Sequence, residues 1–268
     1  MTSGVASTRA AVQDAADALF AARTENSQVP PLRDRFDLKG GDDAYAVQNI
    51  NTERWIKQGR RPVGRKIGLT SKAVQQQIGV AEPDYGILWA DYAFQDGDTL
   101  QASRFMQPRA EVEIAFVIGR SLPDPAIEMT SLISAIAYAL PSVEIVDSAI
   151  KDWDIRLVDT IADNASAGGF ILGIEPKKID ALDLRLCGAL LSVNGAVAST
   201  GVGAACLGHP LNAALWLARK MAEVGRPLGE GDVVLSGALG PLVNLSRGDV
   251  AVAEIQGFSP LKFAIDGK

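Results

Sequence analysis

Two glutamates one residue apart, Glu111 and Glu113, stand inside QPRAEVEIAFVI (107–118), whose other positions suit a buried strand. Successive strand side chains point to opposite faces, so Val112, Ile114 and Phe116 share one face and Glu111, Glu113 and Ala115 the other. Two like charges roughly 7 Å apart on one face repel. If that face is partly buried each also loses hydration, so the pair needs a compensating cation. An isolated E-x-E also suits a strand with one solvated face. A third carboxylate repeats the pattern in ALPSVEIVDS, where Glu144 alternates with Val143 and Ile145. Converging from two strands, the three would form an oxygen-only ligand set of the kind Mg²⁺ or Mn²⁺ prefers, leaving positions for water and a chelating substrate.

Three further segments carry groups that such a centre would use. GRKIGLTSK holds Lys66; a lysine near a bound metal exchanges protons when its pKa is lowered, although in a turn it would simply be solvated. EPDYG places Asp84 in a turn-forming setting, as a base or as a turn residue. VDTIADNASAGG crowds Asp163, Asn164 and Ser166 with two glycines, which suits a loop whose amides approach an anionic ligand.

Other chemistries lack their residues. The chain has one histidine, His209, so there is no H-E-x-x-H and no multi-histidine cage; nor is there a G-x-S-x-G elbow. His209 precedes Pro210 and suits a helix start, where its ring satisfies free backbone groups. TGVGAACLG has Cys206 where G-x-G-x-x-G needs its last glycine, and no regular βαβ unit surrounds it. With 268 residues, 47% hydrophobic, the chain buries a sizeable core, and a net charge of -6 without a basic cluster disfavours nucleic acid or an anionic membrane as partner. Cys187 and Cys206, widely separated, fit a reducing compartment. With no apolar run near 20 residues and no signal-peptide pattern, a cytoplasmic enzyme or binding protein is expected.

The elements that must position these groups follow from periodicity. Thr8 is expected to cap a helix running to about Arg23, and Asp42 or Asp43 a second helix stopping near Gly59. From about Val63 short β-like runs take over, at 112–119, 142–147, 169–173, 188–193, 232–236, 250–256 and 261–265. Two helices interrupt them, one from Thr130 carrying Leu132, Ile133 and Ile136, the other within HPLNAALWLARKMAEVG and ending at Gly225. The pattern is α+β with a β-rich body: a helical N-terminal region over 1–62 and a main domain over 63–268.

Four motifs in order, RRPVGRKIGLTSKAVQQQIGVAEPDYG, QPRAEVEIAFVI, LPSVEIVDSAIKDWDIRLVDTIADNAS and CLGHPLNAALWLARKMA, closely resemble the 2-keto-4-pentenoate (2-hydroxypenta-2,4-dienoate) hydratase family, from about Ala44 to Gly257. The resemblance implies a β-rich fumarylacetoacetate hydrolase-like fold and a Mg²⁺- or Mn²⁺-dependent hydro-lyase of meta-cleavage degradation of aromatic compounds. It implies a homo-oligomer acting on a small-molecule 2-hydroxydienoate and associated with a downstream aldolase. Matched motif by motif, it assigns the metal to Glu111, Glu113 and Glu144 and acid/base work to Lys66 and Asp84, with Asn164, Ala165 and Ser166 near the substrate. A 4-oxalocrotonate decarboxylase on the same scaffold is the alternative, since the triad serves both. A carbon–carbon hydrolase, as the family resemblance has it, would pair a histidine with a glutamate and use aspartate as third ligand. A non-catalytic assembly module would not need the glutamates and Lys66 together. QGFSPLKFAI departs from the relatives, and Pro260 removes a backbone donor where the last strand is expected to pair.

Overall fold

The structure, a computed structural model, describes residues 2–71, 75 and 82–267. Helix α1 (Thr2–Glu25) buries Val12, Ala15, Ala16, Leu19 and Ala22, the three-four spacing of a one-sided helix. It starts earlier than expected: Thr8 lies within it, and the expected cap falls outside the described side chains. In α2 (Gly41–Lys57) the cap position is Gly40, whose φ of 150° no side chain favours. Asp42 and Asp43 instead occupy the first turn, where their charge faces the positive helix end, and the Asp43 carboxylate accepts from the Lys39 amide at 2.7 Å. Both helices bury their apolar faces, together with Leu32, against Ala149, Ile150, Ile161 and Ala162.

Strands follow as β1 (Pro62–Gly68), β2 (Asp84–Trp89), β3 (Ala93–Gln95), β4 (Thr99–Leu100) and β5 (Arg109–Ile118). Then come helix α3 (Met129–Ala135), β6 (Ile136–Val146), helix α4 (Leu157–Ala162) and β7 (Ala167–Leu172). The chain finishes with β8 (Gly188–Val193), β9 (Ala196–Val202), helix α5 (Pro210–Glu223), β10 (Val233–Leu235), β11 (Val243–Asn244), β12 (Val250–Ile255) and β13 (Leu261–Ile265). One mixed sheet runs β2-β1-β10-β5-β6-β7-β3, with β11 paired to β5; the other runs β4-β13-β12-β8-β9.

Several expectations shift at element ends. Ile136, expected to be helical, opens β6 with extended angles (φ -77°, ψ 120°), and the strand runs through Pro141 to reach it. Asp84 is no turn residue: it begins a strand buried along its whole length. Lys66 lies mid-strand in β1, buried, not in a solvated turn. TGVGAACLG forms the end of β9 and a short 3-10 turn, and His209 caps α5 by accepting from the Leu211 amide at 3.1 Å through Nδ1, with Pro210 opening the helix. Pro260 falls just outside β13, which therefore pairs normally with both β12 and β4.

The larger sheet curls until its two ends meet. Leu88 of β2 packs with Phe170 of β7, Leu140, Ala115 and Leu235 on the inner face. A Cβ placed on Gly86 of β2 would fall 2.2 Å from the Asn164 carbonyl, so only glycine admits this approach. The outer face, with Ile67, Val112, Ile114, Phe116, Val143 and Ile145, forms the main core with α5 and the second sheet.

Arg23, at the end of α1, fastens the N-terminal helices to this body. Its guanidinium donates to both carboxylate oxygens of Asp163 at 2.8 Å, and to the Asp147 carboxylate at 3.2 Å and carbonyl at 2.5 Å. Both acids are buried, and removing their cation leaves two uncompensated charges. Arg23→Ala is expected to cost about 3–5 kcal/mol of stability, read as a lower denaturant midpoint, with Arg23→Lys intermediate.

Candidate metal centre

The pairing of β5 with β6 brings the three glutamates together. Glu111 lies directly opposite Glu144, and Glu113 opposite Ser142, so all project from the inner face of the curled sheet. One oxygen from each glutamate lies within 4.8 Å of the others. Glu113 and Glu144 are completely buried and Glu111 partly so. Lys66 joins them from β1, which is linked to β5 through β10, and Asp84 joins from β2, where it pairs with Gly68.

Among the described residues, four carboxylates thus face one ammonium in a chamber floored by apolar side chains. Lys66 Nζ is 3.0 Å from Glu144 Oε1 and donates to the Ala165 carbonyl at 2.9 Å. The Gly237 amide donates to Glu113 Oε2 at 2.7 Å, and the Ser142 hydroxyl to the Glu113 carbonyl at 3.0 Å. Glu113 Oε1, Glu144 Oε2 and Asp84 Oδ1 are buried with no hydrogen-bond partner. Buried carboxylate oxygens without donors are costly. A hard cation takes oxygen ligands, and the triad fits one: three carboxylates converge with lone pairs that no protein donor uses.

Protonation follows the same physics. Burial raises Glu111 to about 7, with Glu144 adding to the shift and Lys66 opposing it. Burial also lifts Glu113 well above the usual carboxylate range, reinforced by Glu144 and Glu111, and raises Glu144 and Asp84 against the pull of Lys66. For Lys66, burial pulls the ammonium down, but Glu144, Asp84, Glu111 and Glu113 outweigh it and leave it raised. Lys66 therefore carries a proton, and Asp84 binds one more readily than an ordinary aspartate.

Asn164, Ala165 and Ser166 form a run of three left-handed residues, at φ 57°, 51° and 54°. For side chains other than glycine this conformation costs roughly 1–2 kcal/mol each, and the surroundings hold it in place. The Asn164 side chain both accepts from the Ile87 amide at 2.7 Å and donates to the Ile87 carbonyl at 3.0 Å; the Ser166 and Thr160 hydroxyls lie 3.3 Å apart. These side chains are thus engaged in scaffolding, and the turn presents the Ala165 carbonyl to Lys66. Gly237, Arg23 and Asp147 are absent from the sequence-derived set, and Asp163, expected in a loop near an anionic ligand, is instead held by Arg23. A glycine after the VVLS run hints at the first, but no spacing links Arg23 to acids more than a hundred residues away. A cavity of about 490 Å³ leads from Gly68 and Glu111 between residues 67–71, 200–202 and 238–242.

Residues 62–266 match the fumarylacetoacetate (FAA) hydrolase C-terminal family. A 2-keto-4-pentenoate hydratase from Paraburkholderia xenovorans is 50% identical over 250 residues, 93% of each chain. The chain belongs to the 2-keto-4-pentenoate hydratase family. A second family member, 2-keto-4-pentenoate hydratase 1 from Dechloromonas aromatica, is also 50% identical, over 91% of this chain and 92% of the relative. Among solved structures, 4-oxalocrotonate decarboxylase from Pseudomonas putida G7, complexed with magnesium and adipate, superposes with a TM-score of 0.91 at 32% identity, covering 96% of this chain and 98% of that one. The hydratase family and this decarboxylase share a scaffold, with the hydratases nearer in sequence.

The raised carboxylates set a pH dependence with a definite sign. Between about 4.5 and about 7 the folded state holds a proton on Glu111 that the unfolded chain releases, so the metal-free protein loses stability as pH rises through that window. A divalent cation competes with those protons. We expect the melting temperature without metal to fall as pH rises through this window, and the increment on adding Mg²⁺ to grow.

Proposed function

We propose that the protein adds water to a 2-hydroxy-2,4-dienoate, with 2-hydroxypenta-2,4-dienoate as reference substrate, giving a 4-hydroxy-2-oxo acid. In this reading Glu111, Glu113 and Glu144 hold a divalent cation, Mg²⁺ or Mn²⁺, as the oxygen-only ligand set favours. When bound, the cation supplies chelation of the substrate carboxylate and 2-oxygen and stabilises negative charge on that oxygen.

The protein's own groups move the protons. Lys66, buried and charged, donates to the terminal carbon of the diene while the Ala165 carbonyl and Glu144 aim its Nζ. The enol O–H releases the proton that restores Lys66, leaving an α,β-unsaturated ketone. Asp84, with its unpartnered Oδ1, takes a proton from water as the hydroxyl bonds to the β carbon, and returns it to the α carbon. Each group ends in the state in which it began. Asn164 and Ser166 act by holding the turn that orients Lys66.

One observation carries the choice of hydration over decarboxylation. Among the described residues lining the cavity that leads from the centre, Glu111 is the only charged one, and Leu69, Val202, Ala205, Leu239 and Leu242 form an apolar wall. A neutral diene suits that wall; a second substrate carboxylate would meet no counterion among the described lining residues. The 50% identity to hydratases, against 32% to the decarboxylase, supports the same choice.

We also infer a cytoplasmic homo-oligomer. Both cysteines are free and buried, which suits a reducing compartment, and Ile174, Leu186 and Val197 expose apolar surface that a subunit contact would cover. No helix among the described residues is long and apolar enough to cross a membrane. The product is an aldol, so an aldolase is the class of enzyme that would consume it and associate downstream.

With Mg²⁺ and freshly generated 2-hydroxypenta-2,4-dienoate, we expect loss of diene absorbance and accumulation of the 4-hydroxy-2-oxo acid. Stoichiometric CO₂ from 4-oxalocrotonate with no hydrated product from the dienoate would establish the decarboxylase instead. Lys66→Ala is expected to keep metal binding while losing about 10²- to 10⁴-fold in turnover; if it bound no metal, Lys66 would be structural. In Asp84→Asn, solvent deuterium should still enter the terminal carbon while hydration slows, whereas equal loss of both steps would reassign Asp84.

A further inference from the structure

Strand alternation gives β1 and β2 a second face, turned away from Lys66, Asp84 and Gly86, and on it Arg65, Tyr85 and Ile87 line another cavity, of about 870 Å³. Its remaining walls come mainly from α2 and α5, including Tyr45 and Trp216. Tyr85 is only 7% exposed; its ring stacks on Tyr45 with centroids 4.5 Å apart, and its amide donates to the Tyr45 hydroxyl. The Tyr85 hydroxyl itself has no hydrogen-bond partner among the described residues and is open to the cavity, where a ligand can reach it.

Arg65 is half-buried and equally underused. Its guanidinium donates to the neighbouring Gly64 carbonyl at 2.8 Å; no described carboxylate lies within salt-bridge distance, and Asp232 acts on it only from farther off. Arg226 approaches the same spot, its own Nη atoms held by Asn49 and Glu53. Arg65, Arg226 and Tyr85 line the same cavity, Arg65 and Tyr85 from one face of the β1–β2 ladder, and the two guanidiniums oppose the rise that burial imposes on the Tyr85 phenol. A partly desolvated guanidinium beside an unpartnered hydroxyl is a ready acceptor of one carboxylate, because the planar fork matches two oxygens. The rest of the cavity decides what that carboxylate belongs to. Aromatic surface from Tyr45 and Trp216 favours a flat apolar body, while the outlying charges of the lining, Asp42, Asp43 and Glu82 against Lys39 and Lys220, largely offset one another and leave Arg65 and Arg226 to hold the carboxylate.

We propose that this cavity binds a small aromatic monocarboxylate, its carboxylate on Arg65 and the Tyr85 hydroxyl and its ring against Trp216 and Tyr45, at a site separate from the glutamate triad. The bound acid would touch the two strands that bear Lys66 and Asp84 on their other face.

Benzoate is the probe, titrated calorimetrically into the full chain with and without Mg²⁺. We expect saturable binding that survives chelation of the metal, weakens about tenfold or more in Arg65→Gln and severalfold in Tyr85→Phe, and is not displaced by inorganic phosphate. Tyr85→Phe removes only an unpartnered hydroxyl and so serves as the test if Arg65→Gln does not fold. Binding lost on chelation would put benzoate on the triad and overturn the proposal. So would phosphate displacing benzoate, unchanged affinity in folded variants, or no saturable binding.

Discussion

Among the described residues four carboxylates share an apolar chamber with a single ammonium, and the rest of the molecule is arranged around that imbalance. Like charges this close tolerate one another only where geometry is imposed from outside, and the imposing element is the β5–β6 ladder, which sets Glu111 against Glu144. A strand shifted by one residue would turn every glutamate into the main core and every core residue into the chamber. The dense packing of Val112, Ile114, Phe116, Val143 and Ile145 on the outer face is therefore also what fixes the geometry of the three glutamates on the inner one. Stability and chemistry are set by the same register.

Lys66 depends on a different kind of support. Its ammonium is aimed by a carbonyl in a left-handed turn that would relax elsewhere, and three contacts prevent this. Asn164 is bonded twice to the Ile87 backbone, Gly86 leaves room for the turn to lie on β2, and Asp163, just before it, is gripped by Arg23 and accepts from the Ala149 amide at 2.7 Å. Strain held at such a place keeps the ammonium in one fixed position. The N-terminal helices, which contribute no proposed ligand, thereby participate in the site's geometry.

The glutamates were legible in the sequence because strand alternation is strict: an E-x-E among β-branched and aromatic residues places both carboxylates on one face. Helix α5 was equally plain, with His209-Pro210 at its start and Gly225 after its end. Short strands rich in glycine and charge were not legible. In PVGRKIG, the glycines and basic residues hide a strand whose extended form is enforced by pairing with β2 and β10. DYGILW follows a proline-containing turn signal, and burial on both faces erases its period-2 pattern. Ile136 carried helical spacing yet extends, because pairing with Ile118 outweighs local propensity. The resemblance to a family supplied roles for Asn164 to Ser166, but only coordinates reveal that the Asn164 side chain is occupied by backbone.

The grip of Arg23 on Asp147 and Asp163 also orders events during synthesis. Synthesis toward the C-terminus presents α1, with its apolar stripe exposed, before the acids that anchor it, which emerge 124 and 140 positions after Arg23. At 5–20 residues per second that interval is roughly 7–30 s. Throughout it α1 has only α2 to pack against, so the nascent helix pair passes through a period with the rest of its apolar surface uncovered before Ala149, Ile150, Ile161 and Ala162 arrive to close over it.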